Sequence, residues 1–243
     1  MKLDILVFGP HPDDAEIGAG GVLLKMKAMG HTTGICDMTT GDMGWGTPEE
    51  RLAECEEAAK ILKLDVRLNL DLGDGRIEDD FETRCKVAEV IRKYRPEIVM
   101  APYYRLPIGR GLGHNDHWKT GIVVSQGFNL AHLRKAPVPG EAYQARAIYY
   151  YFLPPGTRPT FVVDVSEHLD DCIKALMCHR SQFDNPEKPK SGKGLQRLPE
   201  YVETRARVQG WEVGAKYAQA FLAMSPLKIR NPMELVKDVV PRP

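Results

Sequence analysis

Leu3-Asp-Ile-Leu-Val-Phe8 runs straight into Gly9-Pro-His-Pro-Asp-Asp-Ala-Glu-Ile-Gly18. The first part is a short apolar run suited to a strand buried on both faces, and the segment from Ala15 to Met29 reads as a helix. A chain that opens with such a βα unit predicts a parallel sheet, whose ligands bind in the crevice beyond the carboxyl ends of its strands. His11, Asp13 and Asp14 would stand at that rim. One imidazole and two carboxylates suit a hard or borderline metal ion. A plainer reading stays open, because Asp13-Asp14-Ala15-Glu16 also has the form of a helix capping box and His11 lies between two prolines that stiffen a turn.

Working outward, further strands are expected at Thr33 to Met38, Arg67 to Leu70, Glu97 to Ala101, Ala147 to Phe152 and Phe161 to Val165. Between the early ones lie helical patterns. Thr47-Pro-Glu-Glu50 has a cap, a proline at the first helical position and a Glu three after the cap, so a helix should run from there toward Leu62, with Leu52, Cys55, Ala59 and Leu62 facing the sheet. Another covers Phe81 to Tyr94. Helical patterns return from His168 to about Phe183 and from near Tyr201 to Phe221, with His168 and His179 as ordinary helix residues. Repeated βα units predict an α/β fold, a Rossmann-like three-layer α/β/α sandwich with a mainly parallel sheet, formed by residues 1–243 as a single domain.

His114-Asn115-Asp116-His117 is a second polar cluster, again just past an expected strand. Asp116 is a candidate cap for a helix from about Trp118 to Leu133, and the two histidines would then be exposed imidazoles near its start. Taken together, however, the clusters offer His, Asp and His. Three protein ligands are the usual count for a catalytic zinc that keeps a position open for water. The remaining groups suit hydrolysis: Asp13 to take a proton from the attacking water, and the spare histidine to steady an oxyanion or protonate a leaving amine.

His11-Pro-Asp-Asp14 with His114-Asn-Asp-His117 resembles the hallmark of the LmbE-like or PIG-L zinc-dependent N-deacetylases. The resemblance implies that His11, Asp14 and His117 bind zinc, that Asp13 is the general base, and that His114 stabilises the tetrahedral intermediate with Asp116 orienting or charging it. Thr39-Thr-Gly-Asp42, Pro48-Glu-Glu-Arg51, Ser181-Gln-Phe183 and Gly210-Trp-Glu-Val-Gly214 extend the likeness along the chain. They are similar to the bacillithiol-pathway branch, whose members deacetylate N-acetylglucosaminyl-malate. The loop Tyr104 to Gly113 and Asn115 depart from that pattern at the pocket edge. By the same resemblance Tyr201 is a substrate or oxyanion contact, and the protein is a homo-oligomer, a trimer or hexamer.

Arg51 falls in the first turn of its helix, where the dipole disfavours a cation. It is either a substrate contact for a carboxylate such as malate or a solvated partner of Glu50 or Glu54. Residues 185–198 are rich in Pro, Gly and Lys and read as a mobile loop, either a connector or a lid bearing Lys188, Lys190 and Lys193. Residues 237–243 read as a frayed tail.

Composition sets the bounds. With 243 residues, 43% hydrophobic, the chain can build one sizeable core, and 33 basic against 33 acidic residues give no field that would favour nucleic acid or an anionic membrane. Five cysteines without Cys-x-x-Cys spacing, and no signal-peptide pattern, point to reduced thiols and a cytoplasmic setting. The expected activity is removal of the N-acetyl group from an N-acetylglucosamine conjugate. The metal is Zn2+, although the donor set would also take Fe2+, Co2+ or Mn2+. An amidase of the same fold, acting on another N-acyl sugar or a thiol conjugate, shares that chemistry. A rival from a different class is a nucleotide-binding module, suggested by Gly18, Gly20, Gly21 and the later Asp37 but lacking G-x-G-x-x-G.

Overall fold

The structure, a computed structural model, describes residues 1–105, 114–184 and 198–233. The loop at 185–197, the tail at 237–243 and most of the Tyr104 to Gly113 loop therefore lie outside the described residues.

The elements run β1 (Ile5–Gly9), α1 (Asp14–Ala28), β2 (Thr33–Asp37), α2 (Pro48–Leu62), β3 (Val66–Asn69), α3 (Phe81–Tyr94), β4 (Ile98–Pro102), α4 (Asn115–Ala131), β5 (Ala147–Tyr151), β6 (Phe161–Asp164), α5 (Leu169–Leu176), α6 (Arg180–Phe183), α7 (Leu198–Val213) and β7 (Ala218–Ala223). The strands form one sheet in the order β3-β2-β1-β4-β5-β7-β6. β1 to β5 are parallel neighbours, whereas β7 pairs antiparallel with both β5 and β6. This is the expected mainly parallel α/β sandwich.

The alternation of side chains along the central strands accounts for the layers. Ile5 and Val7 pack with residues of α1, α2 and α5 on one face, while Leu6 and Phe8 pack with α3 and α4 on the other. Every residue of β1 and β2 is buried, as strands covered by helices on both sides must be.

Local signals set most boundaries. Thr47 and Glu50 form a reciprocal capping box, with Glu50 N–H donating to Thr47 Oγ1 at 3.2 Å and Thr47 N–H donating to Glu50 Oε2 at 2.8 Å. Asp80 caps α3 through Thr83 N–H at 2.7 Å. α1 closes in a Schellman motif: His31 N–H donates to the Met26 carbonyl and Gly30 N–H to that of Lys27, each at 3.0 Å. Gly30 supplies the required left-handed φ of 89°.

Four expectations are corrected. The segment expected to be helical through Phe221 instead ends its helix at Val213 and enters β7, because Ala218 to Ala223 bridges β5 and β6 in a slot that only the assembled sheet supplies. The pattern from His168 to Phe183 is two helices, broken at Met177–His179. α2 is rotated relative to its apolar pattern: Leu52 is exposed, whereas Arg51, Glu54, Cys55, Ala58 and Leu62 are buried. The hydrogen bonds of Arg51 and Glu54 pull their side of the helix inward. Asp116 does not cap α4, which begins at Asn115 with His114 as its N-cap.

The five cysteines are free and, Cys85 excepted, buried. Among the described residues no helix is long and apolar enough to cross a membrane.

Candidate metal centre and catalytic cleft

β1 and β4 are neighbours, and successive strands depart from them in opposite directions. That reversal is the switch point where open α/β sheets bind ligands. The loop after β1 carries His11, Asp13 and Asp14; the loop after β4 delivers His114, Asp116 and His117 to the same crevice.

Three of these groups converge. Asp14 Oδ2 lies 3.0 Å from His11 Nδ1 and 3.4 Å from His117 Nε2, and it also accepts the His11 N–H at 3.1 Å. The ligand atoms of His11, Asp14 and His117 lie within 4.8 Å of one another, close enough to share one ion. Burial holds His117 below its ordinary pKa, so its ring is neutral and its lone pair available. His117 also stacks on Phe152, with ring centroids 5.3 Å apart. Burial opposes a charge on His11 as well, but its contacts with Asp116, Asp14 and Asp74 outweigh this and push the imidazole up to about 12. Carboxylates arranged to hold a cation at that spot are also arranged to hold a metal. The donor set of two imidazoles and one carboxylate thus fits a zinc-like ion.

Asp13 stands at the N-cap position of α1, but its side chain does not do the capping its sequence context allowed. It makes no capping hydrogen bond, and its backbone sits at φ 119°, outside the ordinary regions for a residue with a side chain. Strain of this kind persists only where surrounding structure enforces it. Its effect is to leave the carboxyl free beside the three-residue cluster. Burial and the neighbouring charge of Asp14 push Asp13 up to about 7, against the opposing pull of His179, Arg51 and His11. That value suits a group that takes up and releases a proton near neutrality.

His114 is half exposed at the cleft, its ring centroid 5.0 Å from that of His11. Its Nδ1 accepts the Asp116 N–H at 3.4 Å and lies 3.7 Å from Asp116 Oδ2. Asp116 itself is fully buried and anchored by Gly75 N–H at 2.7 Å. Asp116 therefore stands behind His114, while its carboxylate is tied to the loop after β3.

Arg51 is only 3% exposed, and its guanidinium donates to the backbone carbonyls of Gly41 and Pro12, the latter at 3.0 Å. It borders the cleft while bracing the turn that carries Asp13. Thr39 ties the same turn from β2, donating to the Pro10 carbonyl through both N–H (3.1 Å) and hydroxyl (3.0 Å). Tyr201 lies at the mouth of the cleft, half exposed, with its hydroxyl accepting from Arg205 at 3.1 Å.

Three residues escaped the sequence reading. Asp74, in the Gly73-Asp-Gly75 turn, presents Oδ1 3.1 Å from His11 Nε2. The signal was its place: a carboxylate in the loop after a parallel strand falls on the same crevice. Glu16 is fully buried, accepting from Arg67 at 2.5 Å and lying 3.1 Å from His179 Nε2. His179, expected to be an ordinary helix residue, is completely enclosed behind the cleft, and its pull on Asp13 is a consequence of that placement. No local pattern links residues 16, 67 and 179.

The nucleotide-binding alternative loses its supports. Asp37 is buried in an ion pair with Arg67 at 2.8 Å and is not free to hold a ribose. The glycines serve close packing, since a Cβ at Gly18 would fall 2.1 Å from the Tyr151 ring and one at Gly20 would fall 2.8 Å from Cys172 Sγ.

The fold and cluster together define a class: a doubly wound α/β protein with a histidine and carboxylate donor set of metal-binding type at its switch point. Comparison with known proteins gives the family. The sequence profile described as PIG-L, GlcNAc-PI de-N-acetylase, matches residues 6–127. The diacetylchitobiose deacetylase of Thermococcus kodakarensis is 30% identical over 228 residues, covering 88% of this chain and 80% of that protein. The chain belongs to the PIG-L family. Among solved structures it is similar to the conserved protein TT1542 of Thermus thermophilus, with a TM-score of 0.83 and 38% identity over 93% of this chain and 97% of that one. It is also similar to the N,N'-diacetylchitobiose deacetylase of Pyrococcus horikoshii, solved with an inhibitor, with a TM-score of 0.78 and 26% identity over 90% and 83% of the two chains.

Proposed function

We propose that this protein is a metal-dependent N-deacetylase that hydrolyses the 2-acetamido group of an N-acetylglucosamine conjugate, with zinc as the metal. The observation that carries the reading is the convergence of His11, Asp14 and His117 beside the free carboxylate of Asp13, in a chain of the PIG-L family whose relatives include two diacetylchitobiose deacetylases.

The residues divide the work as follows. His11, Asp14 and His117 would hold the ion, which when bound lowers the pKa of a coordinated water and polarises the amide carbonyl. Asp13, with a pKa near neutrality, takes the proton from the attacking water. His114 faces the carbonyl oxygen as its charge develops, and the proton that Asp13 took passes to the departing amine as the C–N bond breaks; Asp116 keeps the His114 imidazole oriented. Phe152, stacked on His117, excludes water from one side of the cluster.

The cleft has a volume of about 1270 Å3 and is lined, among the described residues, by aromatic and basic groups including Tyr103, Trp118, Phe152, Tyr201, Arg105 and Arg205. Aromatic faces suit the apolar faces of sugar rings, and a cleft of this size admits a conjugate larger than one sugar. An N-acetylglucosaminyl-malate substrate, as in bacillithiol synthesis, is one such conjugate, and its carboxylates would meet Arg105. Arg51 has less to offer a carboxylate because two of its nitrogens already donate to carbonyls.

The test is amine release from a panel of N-acetylglucosamine conjugates, with N,N'-diacetylchitobiose and N-acetylglucosaminyl-malate among them, before chelation, after it, and after zinc return. Release that vanishes on chelation and returns with zinc supports the reading. Undiminished release by the metal-free protein overturns the metal's role, and release from none of the panel overturns the substrate class.

A further inference from the structure

A chain of buried ionisable side chains stands behind the turn that carries Asp13, and the chemistry proposed above makes no use of it. Arg67 of β3 pairs with Glu16 of α1 at 2.5 Å and with Asp37 of β2 at 2.8 Å, while His179 Nε2 lies 3.1 Å from the same Glu16 oxygen. Glu16 and His179 are fully enclosed, and Asp37 and the Arg67 side chain nearly so. Such a network adds little to stability, because the desolvation of each charge offsets the attraction and packed apolar residues would serve as well. Its position suggests another use.

Three observations tie the far end of the chain to Asp13. First, Glu16 follows Asp13 within the first turn of α1, whose Ile17 N–H donates to the Asp13 carbonyl at 3.0 Å, so the imidazole seated on Glu16 is brought to the side of that turn. His179 is accordingly the foremost group opposing the effect of burial and Asp14 on Asp13, and Asp13 adds to the effect of Glu16 in raising His179 against its own burial. Second, Nδ1, the ring nitrogen away from Glu16, is buried and has no hydrogen-bond partner. Glu16 favours the protonated ring, in which that N–H is a donor with no acceptor of its own. Third, the segment bearing His179 cannot drift: the Ser181 N–H and hydroxyl donate to Glu54 of α2 at 2.6 and 2.7 Å, and Arg180 pairs with Glu57 at 2.8 Å.

We propose that His179 is a positioning residue, anchored by Glu16, Arg67 and Asp37, whose imidazole fixes the orientation of the Asp13 carboxyl beside the metal-binding groups. It touches neither substrate nor ion. Asp13 needs such a guide, because its strained backbone leaves the side chain without a capping hydrogen bond to hold it. The inference rests on the functional reading above, in which Asp13 is the base.

The deciding experiment is a double-mutant cycle between His179 and Asp13 in the full, zinc-loaded chain, read as amine release from the conjugates of the panel. His179→Gln keeps an amide nitrogen on Glu16 but takes the imidazole from Asp13. It should bind zinc as wild type does and leave KM within about threefold, while kcat falls about 10- to 100-fold. In an Asp13→Asn background the same substitution should change kcat by less than about threefold, since no carboxylate remains to be positioned. His179→Asn, whose amide nitrogen falls near the place of Nδ1, should retain more of kcat than His179→Gln. An equal fall in both backgrounds, an unchanged kcat, loss of zinc, or the reverse order of the Asn and Gln variants overturns the proposal. A second cycle needs no turnover: in urea unfolding of the chelated proteins, Asp13→Asn should lower the unfolding constant at least about threefold more in the His179→Gln background than in wild type. Additive effects there overturn the contact itself. Coupling in that cycle with no amine release from any conjugate would instead overturn the functional reading, so the two failures are distinguishable.

Discussion

Replacing Asp13 by Asn removes one negative charge while keeping the shape of the side chain, and its effects on stability and on turnover should have opposite signs. In the metal-free fold, burial and Asp14 raise the Asp13 carboxyl from 3.8 to about 7. A folded-state value above the unfolded one means that the charged form is penalised by folding. The penalty is absent below the unfolded value near 4 and complete above about 7. At about 1.4 kcal/mol per pH unit that gap corresponds to about 4 kcal/mol. Asp13 is partly reached by solvent, whose screening brings the figure to about 2 kcal/mol. Asp13→Asn, with no charge to penalise, should therefore stabilise the chelated protein by about 2 kcal/mol at pH 8 and by almost nothing at pH 4. Urea unfolding of both chelated proteins at the two pH values reads this directly. In the zinc-loaded enzyme the same substitution should keep the metal and lower turnover about 100- to 10,000-fold, the usual contribution of a general base. Equal stabilities at pH 8, a difference that does not change with pH, or full activity of the variant would each refute the account of Asp13.

Other substitutions separate holding the metal from using it. His117→Ala should release zinc and with it activity, whereas His114→Ala should keep zinc and slow the chemical step; metal analysis beside kcat tells them apart. Gly18→Ala drives a methyl group into the Tyr151 ring and should destabilise the fold by about 1–3 kcal/mol, read as a lowered Tm. Arg67→Ala strands Asp37 as a buried, unpaired carboxylate, leaves Glu16 with His179 alone, and should cost about 3–5 kcal/mol, a loss that grows as pH rises and the carboxylates become charged. Unfolding curves at pH 5 and pH 8 check it.

Both halves of the site were legible because each is local. His11 to Asp14 and His114 to His117 each lie within four residues, immediately after an apolar run, and a parallel sheet sends every such loop to one edge. The cap of α2 was legible for the same reason: the donor and acceptor, Thr47 and Glu50, are three residues apart. Asp74 was harder to see because a carboxylate in a Gly-Asp-Gly turn has an ordinary use as a turn residue, and only the placement of β3 aims it at His11. β7 was missed because its pattern fits a helix as well as a strand, and the choice was made by the gap between β5 and β6.

The sequence by itself thus determined the alternation of strands and helices and the chemical identity of the histidine and carboxylate groups that meet at the cleft. Those follow from periodicity, capping and turn chemistry, which act over a few residues. The tertiary structure alone decided that His11 has carboxylates on both sides, that Asp13 is strained and raised toward neutrality, and that Glu16, Arg67 and His179 share one buried network behind it. These depend on burial and on charges brought together from residues up to 163 positions apart, and neither exists until the sheet has closed.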